Sequence, residues 1–377
     1  MKATKLIYSA LALAVVALSS CSNDKFTDTI FPDVDNELDP NSYTYKFDKW
    51  IQQSYLLPYN LEFRYKMEDV SADMNYNLVP AELDKAMDLA VLTKHLWFDV
   101  YKDIVNEDFC KQYGPRIIHL IGSPAYNPNS GTEILGLAEG GVKVTLFKVN
   151  ELNDPTPANI EFLNEYYFKT MHHEFSHILH QTKSYPNEFG LISTGLYDAN
   201  NWQDKPEGYV NSRGFVTPYA SSQVREDFAE TIANYIVKTD EDYKKIYDYA
   251  ASGWATDDAD ALTPVYYRWY YWKNNEVTPE QPENMVYVSD AECVFTYDEE
   301  GNRIGVNLRS DKSIIVYPVE DTDGVDGVAV IKQKIEIARN WFKSAWNADL
   351  DALRNEVQVR QVSYDINALR KEITDIQ

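Results

Sequence analysis

The run Met171–Gln181 gathers His172, His173, His177 and His180, four of the six histidines in the chain. Inside it His173-Glu174-Phe175-Ser176-His177 spells H-E-x-x-H. That spacing has chemical meaning only on a helix. Residues i and i+4 stand one turn apart on the same face, so two imidazoles can converge on one zinc ion while the Glu between them reaches the water beside it. A chain with this pattern must form a helix here and bring a further ligand from elsewhere.

Upstream, Asp154-Pro155-Thr156-Pro157 is a helix-start signal with Pro available at the first helical position. The pattern predicts a helix from about Ala158 to Gln181, with the motif in its C-terminal half and Phe162, Tyr166 and Met171 as packing residues. His172 falls off the His173/His177 face, and His180 falls near the cleft rim. Metal is therefore assigned to two of the four histidines.

The third ligand decides the subclass. A three-histidine site of the metzincin kind needs Gly at position 180 and His at 183, and His180 and Lys183 close that route. The alternative is a carboxylate on a second helix. In Arg225–Ile236, Phe228, Ile232, Tyr235 and Ile236 make an apolar face, and Glu226 and Glu230 stack one turn apart. Glu226 is assigned as the ligand, and Glu230 as the carboxylate that accepts an imidazole N–H and fixes its tautomer. Spacing alone leaves open the reverse assignment, or Asp227 in either role. A phenol near the metal could donate to a developing oxyanion. Tyr219 is the candidate, with Tyr197 and Tyr209 as substitutes.

The order His173-Glu174-x-x-His177, Tyr219, then Glu226-Asp227-Phe228-Ala229-Glu230 resembles the Glu-zincin pattern of anthrax lethal factor-type metallopeptidases. There the counterpart of Glu226 binds zinc and that of Tyr219 assists catalysis. More of the chain resembles the bacterial substrate import-associated zinc metallohydrolase lipoproteins. That resemblance runs from Pro58-Tyr59-Asn60 through Ile121-Gly122-Ser123, Gly136–Leu146, the HEFSH motif and Glu226–Glu230 to Leu350–Arg354. It implies association with an outer-membrane importer of the TonB-dependent type and its surface substrate-binding lipoprotein. The expected fold is α+β and zincin-like: a mixed sheet packed on the active-site helix, with a mainly helical C-terminal lobe. In zincins the strand at the cleft edge pairs with an extended substrate. Here that strand falls within Ile134–Val149.

The N-terminus reads as an export signal. Met1–Lys5 is a short basic segment, and Leu6–Leu18 is apolar but, at 13 residues, too short to span a bilayer. Leu18-Ser19-Ser20-Cys21 has the small-residue pattern before a lipid-modified cysteine. The expected organisation is a lipoprotein signal over 1–20, a polar tether over 21–42 beginning at lipidated Cys21, and a metallohydrolase domain over 43–377. The protein would then sit at the outer membrane of a Gram-negative bacterium, facing the periplasm or the cell surface. The net charge of −24 disfavours nucleic acid and anionic lipid, so membrane attachment rests on the lipid. Whether Cys110 and Cys293 pair is not decided by spacing.

The 28 tyrosines and 8 tryptophans point first to packing and second to platforms for peptide or sugar ligands. Early in the chain Phe47, Trp50, Ile51 and Tyr55 predict a helix stopped by Pro58. Leu61–Met67 alternates as a strand, Ala81–Val105 reads as a long helix, and Arg116–Ile121 as a central strand with His119 in the core. Beyond the second ligand helix, aromatic-rich helical patterns extend from Glu241 to Trp272. A β insert follows at about 279–325, with strands at Cys293–Tyr297, Arg303–Leu308 and Ser313–Tyr317. Helices resume at Val328–Trp346 and after Asp349.

The expected chemistry is peptide-bond hydrolysis with Zn2+ held by His173, His177 and Glu226, and Glu174 as general base. The rivals are an importer lipoprotein that holds zinc without turnover and a glycan-binding surface lipoprotein.

Overall fold

The computed structural model describes residues 38–67, 78–126, 133–134, 136–139, 142–205, 207–252, 267–278, 281, 284–288, 292–301, 303–320 and 325–376. The expected signal segment, Cys21 and the tether as far as residue 37 lie outside them. The chain divides into two compact units, Met1–Lys49 and Trp50–Gln377. Among the described residues no helix is long and apolar enough to cross a membrane.

The architecture is α+β. Four short strands, Glu62–Arg64 (β1), Ile117–Leu120 (β2), Gly136–Glu139 (β3) and Lys143–Leu146 (β4), form one sheet in the order β1-β2-β4-β3. β1 and β4 run parallel to β2, whereas β3 runs antiparallel to β4, with Gly136 opposite Leu146 and Glu139 opposite Lys143. In β2, Ile118, His119 and Leu120 are all buried, as a central strand covered on both faces requires. Among the described residues β3 is an edge strand of this sheet, and it lies against the motif helix.

The long helix after Pro80 is present. Leu83–Thr93 (α1) passes through a π-helical turn at Lys94–Phe98 and continues as Asp99–Ile104. The motif helix is built the same way. A turn of 3₁₀ helix at Pro157–Asn159 leads through Ile160–Leu163 and a π-helical turn at Asn164–Phe168 into Lys169–Thr182 (α2). The apolar side of α2 packs into an aromatic nest. Phe175 meets Trp97 at 4.8 Å, Tyr101 at 5.0 Å and Phe109 at 5.7 Å between ring centroids. Burying such a ring stabilises the fold by roughly 2–3 kcal/mol. The Phe175 nest thus fixes which side of α2 is left for His173 and His177.

Val224–Val237 (α3) packs closely on α2 and is buried nearly all round. It is not a solvated acidic helix: Glu226, Asp227 and Glu230 are 3%, 0% and 6% exposed. Asp240–Ser252 (α4), Gly327–Trp346 (α5), Leu350–Ser363 (α6) and Ile366–Thr374 (α7) complete the helical C-terminal part. Asp326, Asp349 and Asp365 cap α5, α6 and α7 by accepting backbone N–H groups of the first turn.

Two local expectations are corrected. The early helix does not stop at Pro58: helical geometry continues over Leu57–Tyr59 and ends at Asn60, whose φ of 51° is left-handed. Pro58 follows a π-helical turn at Gln52–Leu56, so the regular ladder that its missing N–H would break is already interrupted there. The aromatic run near Trp272 is not helical either. Tyr267–Trp272 (β5) is a strand between Met285–Val288 (β6) and Tyr317–Glu320 (β9), antiparallel to both. Tyr and Trp favour the pleated surface, and the two distant partners supply the ladder. The expected hairpin forms from Cys293–Tyr297 (β7) and Arg303–Leu308 (β8). The β region therefore begins at Tyr267; within the expected Ser313–Tyr317 strand Ile315 bridges Asn307 of β8, and from Tyr317 the chain pairs with β5. Cys110 and Cys293 are both buried and do not form a disulfide with each other.

Candidate metal centre

α2 and α3 bring together three atoms that could ligate one metal ion. His173 Nε2 lies 3.1 Å from Glu226 Oε2, His177 Nε2 lies 3.0 Å from the same oxygen, and the two Nε2 atoms are 3.1 Å apart. Among the described residues this is the one group of His, Cys, Asp and Glu side chains placed to share a metal ion.

The protonation pattern shows what this group can hold. His173 Nδ1 is 2.8 Å from Glu230 Oε1. Burial pushes the Glu230 carboxyl up, but His173, Lys169 and Thr217 outweigh it and hold it at about 2. Glu230 is therefore ionised and can only accept, which puts the ring proton of His173 on Nδ1 and leaves a lone pair on Nε2. Glu226 behaves alike: burial raises it, but His173 and His177 pull it well below the usual carboxylate range. Two imidazole Nε2 atoms and a carboxylate oxygen thus face each other within contact distance. Such an arrangement needs a cation at its centre. Without a metal a proton serves, since the two glutamates outweigh burial and hold His173 at about 10. Tetrahedral ligands at zinc distances are separated by about 3.3 Å, close to the spacing found. The donor set fits zinc.

Around the three ligands the remaining candidates fall into place. Glu230 Oε2 accepts from Thr217 Oγ1 at 2.6 Å and from Asn234 Nδ2 at 3.2 Å, and Thr217 Oγ1 accepts from Ala220 N. His173 is thereby tied to the Thr217–Ser221 segment that carries Tyr219. The Tyr219 ring lies 5.8 Å from that of His173 at an interplanar angle of 30°, and the Trp202 ring lies 4.8 Å from it. Burial, then Glu226, Glu174 and Glu230, raise the Tyr219 phenol, so it stays protonated as a donor. Glu174 is also raised, by burial first, with His173 and His177 opposing and Glu226 and Glu230 adding to the shift. A carboxylate displaced upward in this way is a stronger base.

The alternatives left open by spacing separate cleanly. Asp227 turns away from the cluster to Lys334 Nζ at 2.7 Å and accepts from Tyr197 OH at 2.8 Å. Tyr209 packs under the Arg213 guanidinium at 4.6 Å. His172 faces the core, with Nδ1 2.9 Å from Tyr101 OH, and burial lowers it to about 3. His180 does more than line a rim: its Nε2 is 2.9 Å from His177 Nδ1. Sequence reasoning missed that contact, although the i,i+3 spacing carried the signal. It also missed Asn234, one turn beyond Glu230, and Thr217, which lies in a loop and left no signal.

A family model described as "Putative zinc-binding metallo-peptidase" matches residues 41–351. The chain belongs to this family. This zinc-binding metallopeptidase is also similar to a crystal structure of a "putative zinc-binding metallo-peptidase" from Bacteroides caccae, at 30% identity and a TM-score of 0.58. The match covers 92% of this chain and 98% of that one. No curated protein matches. Zinc is the metal of the family, in agreement with the donor set.

Proposed function

We propose that this metallopeptidase is a hydrolase of the HExxH-plus-Glu, gluzincin type, cleaving peptide bonds. One observation carries the reading: two imidazole Nε2 atoms from an H-E-x-x-H helix and one carboxylate oxygen from a second helix converge at 3.0–3.1 Å. His173, His177 and Glu226 would hold the ion. Zinc bound there supplies Lewis-acid polarisation of a carbonyl and makes water acidic near pH 7.

The chain's own residues then divide the work. Glu174 accepts the proton of the attacking water on its carboxylate and delivers it to the departing amine nitrogen. Tyr219 O–H donates to the oxygen on which negative charge develops. Glu230 Oε1 holds the Nδ1 proton of His173 and so keeps its Nε2 lone pair turned to the ion. β3, an edge strand among the described residues, is suited to take an extended substrate backbone by strand addition. These roles agree with the Glu-zincin resemblance to lethal factor-type enzymes.

The same proposal places the protein at an outer membrane, held by lipid on Cys21 and working beside a TonB-dependent importer and its substrate-binding lipoprotein. Support comes from the signal-like residues 1–21 and from the family resemblance of the rest of the chain. Metabolic labelling with an alkyne-tagged fatty acid tests the anchor. Label in wild type and none in Cys21→Ala is expected, and equal labelling would reject it. Incubation of the zinc-loaded protein with a mixed peptide library, read by mass spectrometry, tests the chemistry. Cleavage that is lost on chelation and in Glu174→Gln is expected. Stoichiometric zinc with an intact library would turn the reading towards a binding lipoprotein.

A further inference from the structure

Arg225 is not used by the chemistry above, yet it touches the metal cluster. Its Nε donates to Glu226 Oε1 at 2.9 Å, and Gln223 Nε2 approaches the same oxygen at 3.4 Å. The other oxygen of that carboxylate is the one that faces His173 and His177. The guanidinium therefore stands one carboxylate's width from the ligand cluster. Among the described residues it is the one cation hydrogen-bonded to a member of that cluster, in a site otherwise lined by Glu174, Glu226 and Glu230.

Two features separate Arg225 from an ordinary structural ion pair. Its partner carboxylate is 4% exposed, whereas the Arg225 side chain is 62% exposed. Moreover its hydrogen bond to Glu226 uses Nε and the side chain is mostly exposed, so the terminal amino groups are left to act as a planar fork, which can grip a carboxylate with two parallel hydrogen bonds. An extended peptide advances ~3.3 Å per residue. With its scissile carbonyl at the cluster, one of the flanking residues comes within reach of that fork.

We propose that Arg225 recognises an anionic group within two residues of the scissile bond, so that the enzyme selects peptides carrying an Asp or Glu side chain, or a free C-terminal carboxylate, at that position. This inference rests on the peptidase reading. On a chain of net charge −24, an exposed cation beside the ligand cluster makes the preference local. A peptide acidic throughout is repelled by the rest of the surface, and one acidic at this position is retained.

The test uses two readouts at saturating zinc. In the first, wild type, Arg225→Gln and Arg225→Glu cleave a mixed peptide library, and the residues flanking each cut are profiled. Wild type should enrich Asp, Glu or a terminal carboxylate within two residues of the cut by on the order of tenfold. Arg225→Gln should lose the enrichment, and Arg225→Glu should reverse it towards Lys and Arg. Peptide amides beside free acids separate terminal from side-chain recognition. In the second, fluorescent peptides bind to Glu174→Gln with and without the Arg225 changes, which needs no turnover. A charge-independent profile and equal binding of Asp- and Asn-containing peptides would overturn the inference even if cleavage is efficient. An uncut library beside Arg225-dependent binding of acidic peptides would instead sink the hydrolytic reading, and with it the placement relative to a scissile bond, while sustaining anion recognition by Arg225.

Discussion

Lys334 Nζ sits 2.7 Å from Asp227 Oδ2, and both side chains are sealed from solvent at 1% and 0% exposure. Lys334 also donates to the Gly214 carbonyl at 2.8 Å and lies 4.1 Å from the Phe215 ring centroid. Gly214 has a φ of +83°, which a side chain would resist, so the chain can turn its carbonyl to the ammonium. One buried cation thus joins α5 to the residue beside Glu226 and to the segment leading to Thr217.

Lys334→Met would leave Asp227 charged and unpaired in the core. A loss of about 3–5 kcal/mol is expected in urea unfolding of the zinc-free protein. The double variant Lys334→Met/Asp227→Asn should recover much of it. If the double variant is as unstable as the single one, the pair is not what holds these segments together.

Removal of a ligand and removal of its orienting partner should look different. Glu226→Ala is expected to abolish stoichiometric zinc, measured by elemental analysis after dialysis. Glu230→Ala should retain zinc with affinity lowered roughly 10–100-fold in chelator competition. Full zinc content in Glu226→Ala would reject the ligand assignment.

His180 belongs with Glu230 in this respect. A metal-binding imidazole is oriented by whatever its second nitrogen meets, and for His177 that partner is the His180 ring at 2.9 Å. His180→Ala should weaken zinc about tenfold, and His180→Gln, which can still accept a hydrogen bond, less. Unchanged affinity in both would make the contact incidental.

Glu174→Gln should keep zinc and lose hydrolysis by on the order of 10²–10⁴-fold. The comparison needs both measurements on one preparation, since a fall in zinc content would indicate a ligand defect.

How much of this was readable beforehand follows from the range of each interaction. His173, Glu174 and His177 are set by one turn of helix, and an i,i+4 rule suffices for them. Glu226 required a second helix and a carboxylate, both visible as a pattern. Asp227 could not be told from its neighbour, because its destination, Lys334, lies in a helix far along the chain. Tyr267–Trp272 was misread for a similar reason: six consecutive residues cannot announce that Met285–Val288 and Tyr317–Glu320 will flank them. Thr217 sits in a loop, where no periodicity marks a residue that will meet Glu230.

His172 gives the zinc-free protein a pH signature. Burial lowers it from 6.5 to about 3, so the unfolded chain binds a proton there below about pH 6.5 while the folded chain does not. Stability should therefore be unaffected by this group above that pH and fall as pH drops towards about 3, with a slope of up to about 1.4 kcal/mol per unit. Urea midpoints at pH 7, 6 and 5 read it. In His172→Gln the acid limb should lose about one proton's slope. An unaltered limb would show that the group is not buried neutral.

The π-helical turn at Asn164–Phe168 has an outcome for comparing related chains. There Lys169 N–H reaches back five residues to the Asn164 carbonyl, so the turn holds one residue more than an ordinary ladder would. Deleting that residue would heal the ladder and rotate everything after it by about 100°. H-E-x-x-H would survive letter for letter, with both imidazoles aimed away from Glu226. A relative with an intact motif but one residue fewer between Leu163 and His173 should therefore be screened as a pseudoenzyme, because a motif search is blind to the phase of the helix beneath it.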